Sequence, residues 1–472
     1  MPKLLLNAVL IPGLILVFTV AILGQPVSQY TPRRTYDQQS TELIKNLKAE
    51  FKKEAQLLQD GRLKSDYQKN LKFLLGMIKN EAFIHDFVLQ NFVNRIVERI
   101  LRGNDIQHRP KFIFIAKNNS VNAYTVGLNC LVVNIGLLAR VRSEDQLAFI
   151  LAHEMAHNEL GHVKESLTEL REIKNESQGL LPQDVKNQNF ANAVITLQRM
   201  AYDFSRFRRE NEVEADSLGY LYYKKGGYPG WGALMALALM DSATYPKYPQ
   251  GYLLLEPFHA RDYPLQPQWL KGRPRGYAMQ RSHVLLFQVD SLKSHPIIPQ
   301  RLQFLANMMD LAELSPSVEN DPGEIIRTAE FETVEAAYFM KKYDQCLHQA
   351  LQQRSRYPKQ PYLATTIVKV LIELHQAKNE DRFYLLVQSN TANYGEELTE
   401  LNHFLYNITP REILEIAYHY LKNPKNFNGE VQEHHFLLWD LARLTDRKDH
   451  RKKLAKYYKI RFPNGRYVEK MH

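Results

Sequence analysis

Cysteine is nearly absent: Cys130 and Cys346 are the only two in 472 residues, too few and too far apart for a disulfide framework. Both read as small buried apolar residues, with a single bridge between them as the open alternative. Beyond residue 24 there is no apolar run long enough to cross a bilayer. The formal net charge is +10, but no nucleic-acid motif accompanies it and the basic residues are scattered. No nucleic-acid partner is therefore expected, and the charge suggests association with anionic membrane surfaces or acidic partners instead. With 44% hydrophobic and 24% charged residues, the chain is globular and long enough for two or three domains.

The first 24 residues have the texture of an export signal. Lys3 precedes an apolar run from Leu4 to Leu23, interrupted only by Asn7, Pro12, Gly13 and Thr19. A charged start followed by an apolar stretch marks a signal peptide. About 20 residues also suffice to span a bilayer, so an uncleaved N-terminal anchor is the second reading. Either way the chain is expected to be exported, to the periplasm or another extracytoplasmic face.

Residues 31 to about 103 are charged and helical, and Glu81 to Arg102 has a 3.6-residue apolar period that ends at Gly103. The texture then becomes that of a small sheet. Lys111 to Ile115 reads as a strand, and Ala123 to Val126 with Cys130 to Asn134 reads as a hairpin about Gly127, Leu128 and Asn129. Ser143 with Gln146 is a capping box opening the next helix. After a polar stretch, helices are expected from about Ala193 to Lys225 and from Trp231 to Met240. Tyr245 to His283 lacks periodicity and is expected to form a loop near the site. From Ile325 onwards helix follows helix, at Tyr362 to Gln376, Asp381 to Ser389, Pro410 to Leu421 and Glu433 to Leu444. Tyr343, Cys346, Ala350 and Pro358 fall at the spacing of the second half of a tetratricopeptide repeat. The fold class expected is α+β, mainly helical, with a small β-sheet.

The chemistry concentrates in Leu147 to His162. His153, Glu154 and His157 form H-E-x-x-H within an apolar helical segment. Histidines four apart lie one above the other on a helix, so both imidazoles can bind one metal ion, with Glu154 beside it as general base. The competing reading is a pair of core histidines satisfied by hydrogen bonds. Further on, Glu212 and Asp216 are also four apart and share a helix face. That suits one as third ligand and the other as a partner of a ligating histidine. Glu214 points elsewhere. His162, five residues after His157, has the wrong spacing for a metzincin ligand and reads as a helix-end residue or a support behind a ligand.

These motifs resemble a known family, the zinc metallopeptidases that include HtpX, the CAAX prenyl endopeptidase and BepA. The resemblance runs from about Val121 to Leu305. It rests on Asn122 to Val126, Val133 to Leu138, the two motifs above, and Ser294-His295-Pro296 with Arg301 beyond. It implies a gluzincin-type core binding one Zn2+ per chain through His153, His157 and Glu212, with Glu154 as base and Asp216 orienting a ligating histidine. His295 and Arg301 are implied to stabilise the oxyanion or to contact substrate. An extended polypeptide substrate would pair with the strand carrying Leu128, Cys130 and Val132. The nearest members are exported ones that join the protease to tetratricopeptide repeats. This implies a leader or anchor at 1–24, a peptidase domain at 31–320, and a tetratricopeptide-like domain at 325–472 that recruits partner proteins. The implied function is a metalloendopeptidase in quality control of exported or envelope proteins. The rival reading is a chaperone or scaffold with a latent or silenced zinc site.

Overall fold

The computed structural model describes residues 30–165, 168, 209–242, 255–271, 298–310, 322–388 and 396–471. The expected leader, residues 169–208 and the His295 element lie outside them. Among the described residues no helix is long and apolar enough to cross a membrane.

Helices α1 (Thr41–Leu57), α2 (Gly61–Lys79) and α3 (Phe87–Gly103) occupy the charged N-terminal region. α3 begins later than its apolar period suggests. Glu81 takes a positive φ of 57°, Phe83–Ile84 forms the short strand β1, and Asp86 caps the helix by accepting from the Leu89 N–H at 2.9 Å. Gly103 ends α3 for a packing reason, since a Cβ there would lie 2.2 Å from the Lys225 carbonyl oxygen.

The sheet adds β2 (Phe112–Ala116), β3 (Ala123–Thr125) and β4 (Cys130–Asn134) in the order β1-β2-β4-β3. β2 and β4 run parallel, Phe112 opposite Cys130 and Ala116 opposite Asn134. β3 and β4 are the expected hairpin, with Tyr124 opposite Val132. Its turn holds Gly127, Leu128 and Asn129 at φ 74°, 57° and 50°, left-handed backbone that suits glycine and asparagine. The period of two along β4 divides its side chains between the two faces. Cys130 and Val132 pack with Leu74, Met77 and Phe114 on the α1–α2 side. Leu131 and Val133 join Val93, Leu147 and Phe149 on the other.

On that second face lie α4 (Ile135–Leu138) and α5 (Glu144–Glu159). The Ser143 hydroxyl accepts from the Gln146 N–H at 3.3 Å, while the Gln146 side chain caps the Arg142 N–H at 2.7 Å, one residue off the expected box. Helices α6 (Arg209–Lys225), α7 (Gly230–Ser242) and α8 (Ile298–Asn307) complete this layer around α5.

The C-terminal part is helical: α9 (Gly323–Phe339), α10 (Tyr343–Arg356), α11 (Pro361–Asn379), α12 (Glu396–Asn407), α13 (Pro410–Lys422), α14 (Gln432–Leu444) and α15 (Lys448–Arg461). Where a helix was expected over Asp381 to Ser389 there is only a 3-10 turn, Phe383–Leu385. α12 and α15 were not anticipated. α9 packs on α4 and α3 as well as on α10, so the two parts of the molecule share a helix.

Residues 255–271 do not lie by the H-E-x-x-H helix. Their apolar side chains join the core of the C-terminal helices instead. Phe258 stacks on Phe404 at 5.8 Å, and the Trp269 indole N–H donates to Glu412 at 3.0 Å. Cys130 and Cys346 are buried and free, as small apolar residues would be.

Candidate metal centre

α5 is buried along its length from Asp145 to Ala156, so its polar side chains must find partners inside the protein. They find them on α6, which packs directly against α5. Gly219 makes that approach possible: a Cβ there would sit 2.8 Å from the His153 Cα. Two turns earlier on the same helix, Glu212 is brought beside the histidines.

The Nε2 atoms of His153 and His157 are 3.0 Å apart. The Glu212 carboxylate lies 3.6 Å from the first and 3.4 Å from the second. Donor atoms about 2.0–2.1 Å from a tetrahedral ion stand about 3.3 Å from one another, and the three observed separations bracket that value. His153, His157 and Glu212 form the one group of metal-ligand type among the described residues.

Both ring orientations are fixed from behind. His153 Nδ1 meets the Asp216 carboxylate at 3.0 Å, and His157 Nδ1 meets His162 Nδ1 at 2.9 Å. His162 Nε2 reaches Glu214 at 3.3 Å. One consistent set of protons has His153 and His157 each donating from Nδ1 and turning an Nε2 lone pair to the common point. Gly161, at φ 76°, makes the turn that folds His162 back onto His157. The expectation that Glu214 stands apart misses this link; a histidine five residues after His157 was the available signal.

Burial, reinforced by the second imidazole, pushes His153 down to about 4, against the pull of Asp216. Burial opposes protonation of His157 as well, but the Glu212 hydrogen bond and charge outweigh it and raise its pKa. Asp216 is held below the usual carboxylate range because the Arg301 charge and hydrogen bonds outweigh its desolvation.

Arg301, from α8, is 4% exposed and its three nitrogens all meet carboxylates. Nε and Nη2 donate to the two Asp216 oxygens, each at 2.6 Å, and Nη1 lies 2.9 Å from Glu212. In place of the expected contact with an oxyanion or substrate, Arg301 clamps Glu212 and Asp216 together. Glu154 is 4% exposed and lines a small cavity with Pro110, Thr125, Asn129, Cys130, Leu131, Met155 and Asn158.

The expectation that substrate pairs along Leu128, Cys130 and Val132 fails on two counts. β4 has a strand on each side, leaving no backbone edge to offer. The three side chains are also buried, in the cluster on the α1–α2 side, although Cys130 also reaches the cavity that Glu154 lines. The edge facing the cavity is β3. Backbone bonds join Asn122 to Asn134 and Val126 to Cys130, so by alternation Ala123, which is buried, and Thr125, which is half-buried, turn their N–H and C=O groups away from β4.

Comparison with known proteins singles out the same stretch of chain. Residues 89–309 match the profile of peptidase family M48, a span that contains every donor described. A putative beta-barrel assembly-enhancing protease of Vibrio cholerae is 24% identical over 185 residues, 38% of each chain. The beta-barrel assembly-enhancing protease of Escherichia coli is 24% identical over 181 residues, 37% of each chain. That of Yersinia pestis is 23% identical over 192 residues, covering 39% of this chain and 40% of the relative. The matches thus span about two fifths of the relatives' length, 37% to 40%. Residues 89–309 thus resemble peptidase family M48, and beta-barrel assembly-enhancing proteases are among the proteins this stretch is similar to.

Proposed function

We propose that the protein is a zinc metalloendopeptidase acting on exported or envelope polypeptides. The observation that carries this reading is the convergence of two oriented Nε2 atoms and one carboxylate beside a buried glutamate. Three protein donors leave a tetrahedral ion one open position, the mark of a catalytic rather than a structural zinc.

His153, His157 and Glu212 would hold the ion, which supplies Lewis acidity toward water and the scissile carbonyl. Glu154 takes the proton of the attacking water and returns it to the leaving amine. Asp216 and His162 hold the imidazoles in register, and Arg301 positions Glu212 and Asp216. The substrate adds as a strand along β3, pairing with the outward groups of Ala123 and Thr125, so selection follows extended shape more than sequence. His295 keeps the substrate-side role implied by the family resemblance. Residues 31–320 serve as the peptidase and 325–472 as a tetratricopeptide-like platform for substrates or partner proteins. Residues 1–24 deliver the chain to the periplasm, as signal or anchor.

The test compares two variants. Glu154→Gln is expected to retain zinc and lose cleavage of casein, while His153→Ala loses both. Casein cleavage by the glutamine variant at the wild-type rate would sink the mechanism. Zinc binding without cleavage in the wild-type protein would favour the chaperone reading.

A further inference from the structure

The peptidase site leaves α15 unexplained. Of its 14 residues, seven are Lys or Arg and only Asp449 is acidic. Its inner side is ordinary: Tyr458 is buried in a cluster with Trp439 and Met471. The outer side is not. At 100° per residue, Lys452, Lys456, Ile460, Lys453 and Tyr457 succeed one another round an arc of about 140°. Ile460 is 72% exposed and Tyr457 53%, set among lysines that are themselves exposed. Among the described residues, none of Lys452, Lys453, Lys456 or Lys459 pairs with a carboxylate. Arg461, by contrast, is held by Glu430 at 2.6 Å.

A face that only needed solvation would have no use for an exposed isoleucine at its centre; Tyr457, at the edge of the arc, stacks on His435 of α14 at 5.5 Å and keeps 53% of its surface exposed. Lysines with flexible stems around an exposed apolar side chain are what an interfacial helix requires. The ammonium groups reach phosphates at varying positions while the apolar side chain at the centre enters the headgroup layer.

A second observation concerns where the chain begins its described course. Tyr30 stacks on Phe331 at 4.6 Å, donates its hydroxyl proton to Glu332, and its N–H bonds Gln360 at 3.1 Å. The next residue, Pro361, offers its carbonyl to His434 at 3.1 Å, and His434 belongs to α14, the helix packed on α15. In the sequence, the apolar run ends at Leu23, seven positions before Tyr30. Seven extended residues reach at most about 25 Å. A membrane holding that run therefore lies close to the C-terminal helices.

We propose that the exposed face of α15 docks on an anionic phospholipid surface, with Ile460 in the headgroup layer, Tyr457 at its margin and the four lysines on phosphates. The test uses the full chain carrying Ile460→Cys labelled with an environment-sensitive fluorophore, the native cysteines being buried. The label reports on α15 alone, whatever the apolar run does. A blue shift is expected with vesicles containing phosphatidylglycerol, not with pure phosphatidylcholine, and it should weaken as salt rises. Each lysine near such a surface is worth about a fivefold change in partitioning, so Lys452→Gln, Lys453→Gln and Lys456→Gln together should lower it about a hundredfold. Unchanged thermal unfolding of the triple variant guards against misfolding. No shift with phosphatidylglycerol, or a shift that survives the triple substitution, overturns the proposal. An equal shift with polyglutamate or an oligonucleotide would also overturn it, assigning the face to an acidic polymer.

Discussion

Replacing Gly219 by alanine sets two effects of opposite sign against each other at the centre of the metal site. In a helix interior glycine is worse than alanine by about 1 kcal/mol, so at an indifferent position the substitution stabilises. Gly219 is not indifferent. Its new Cβ would stand 2.8 Å from the His153 Cα, 3.0 Å from the His153 nitrogen and 3.3 Å from the Ala152 carbonyl carbon. Ordinary contact begins at 3.4 Å, and the obstructing atoms are backbone, which no rotamer change can move. α5 and α6 must separate by roughly half an ångström, and overpacking of this kind costs about 1–3 kcal/mol. The net expectation is destabilisation of up to about 2 kcal/mol. The separation also carries Glu212 away from the two histidines, and metal bonds tolerate only about 0.2 Å, so zinc affinity should fall at least tenfold. Competition with a chromophoric chelator measures the affinity, and calorimetric unfolding the stability. Gly76→Ala is the control: it lies in α2 with nothing within 4 Å of the new Cβ, and should stabilise slightly without touching zinc. If Gly219→Ala behaved like Gly76→Ala in both assays, the account of how α6 delivers the third ligand would be wrong.

The other expectations concern charges. Arg301→Lys keeps the positive charge but not the fork that grips Asp216 and Glu212 together. Zinc affinity should drop about 10- to 100-fold, and unchanged affinity would remove Arg301 from its positioning role. Glu54 accepts from the Leu128 N–H at 3.1 Å, and burial, then the charge of Glu50, raises it to about 7. A carboxyl raised in the folded state contributes stability fully present below its unfolded pKa of 4.5 and lost as pH rises through about 7. Glu54→Gln, which mimics the protonated acid and keeps the acceptor, should therefore stabilise at pH 8 by roughly 1–2 kcal/mol after allowance for solvent screening. Near pH 4.5 it should change little, and an equal gain at both values would show that Glu54 is not the responsible group.

What could be read from the sequence was local. The histidines four apart on α5, and Glu212 with Asp216 four apart on α6, announce their shared faces within a single turn. The β3–β4 hairpin declares itself through Gly127 and Asn129. What escaped depended on partners distant in the chain. β1 has two residues and exists because Phe83 and Ile84 meet Ala116 and Ile115. The parallel pairing of β2 with β4 made β4 central and moved the open edge to β3, a change that no pattern within Cys130–Asn134 signals. Residues 255–271 showed no periodicity because Phe258 and Trp269 bury themselves singly, among helices more than a hundred positions later. Arg301 was found through the resemblance, but its partners on α6 became visible only when α8 was set against that helix.

The clamp formed by Arg301 also fixes the charge of the centre. Glu154, Glu212 and Asp216 are formally three negative charges, Arg301 is one positive charge, and the whole set is at most 4% exposed. With neutral imidazoles the cluster carries two negative charges in a medium that tolerates none well. A divalent ion would bring it to electroneutrality, whereas a monovalent ion would leave it negative and a trivalent one would overshoot. On this formal count a divalent ion is the one whose charge the buried cluster would balance.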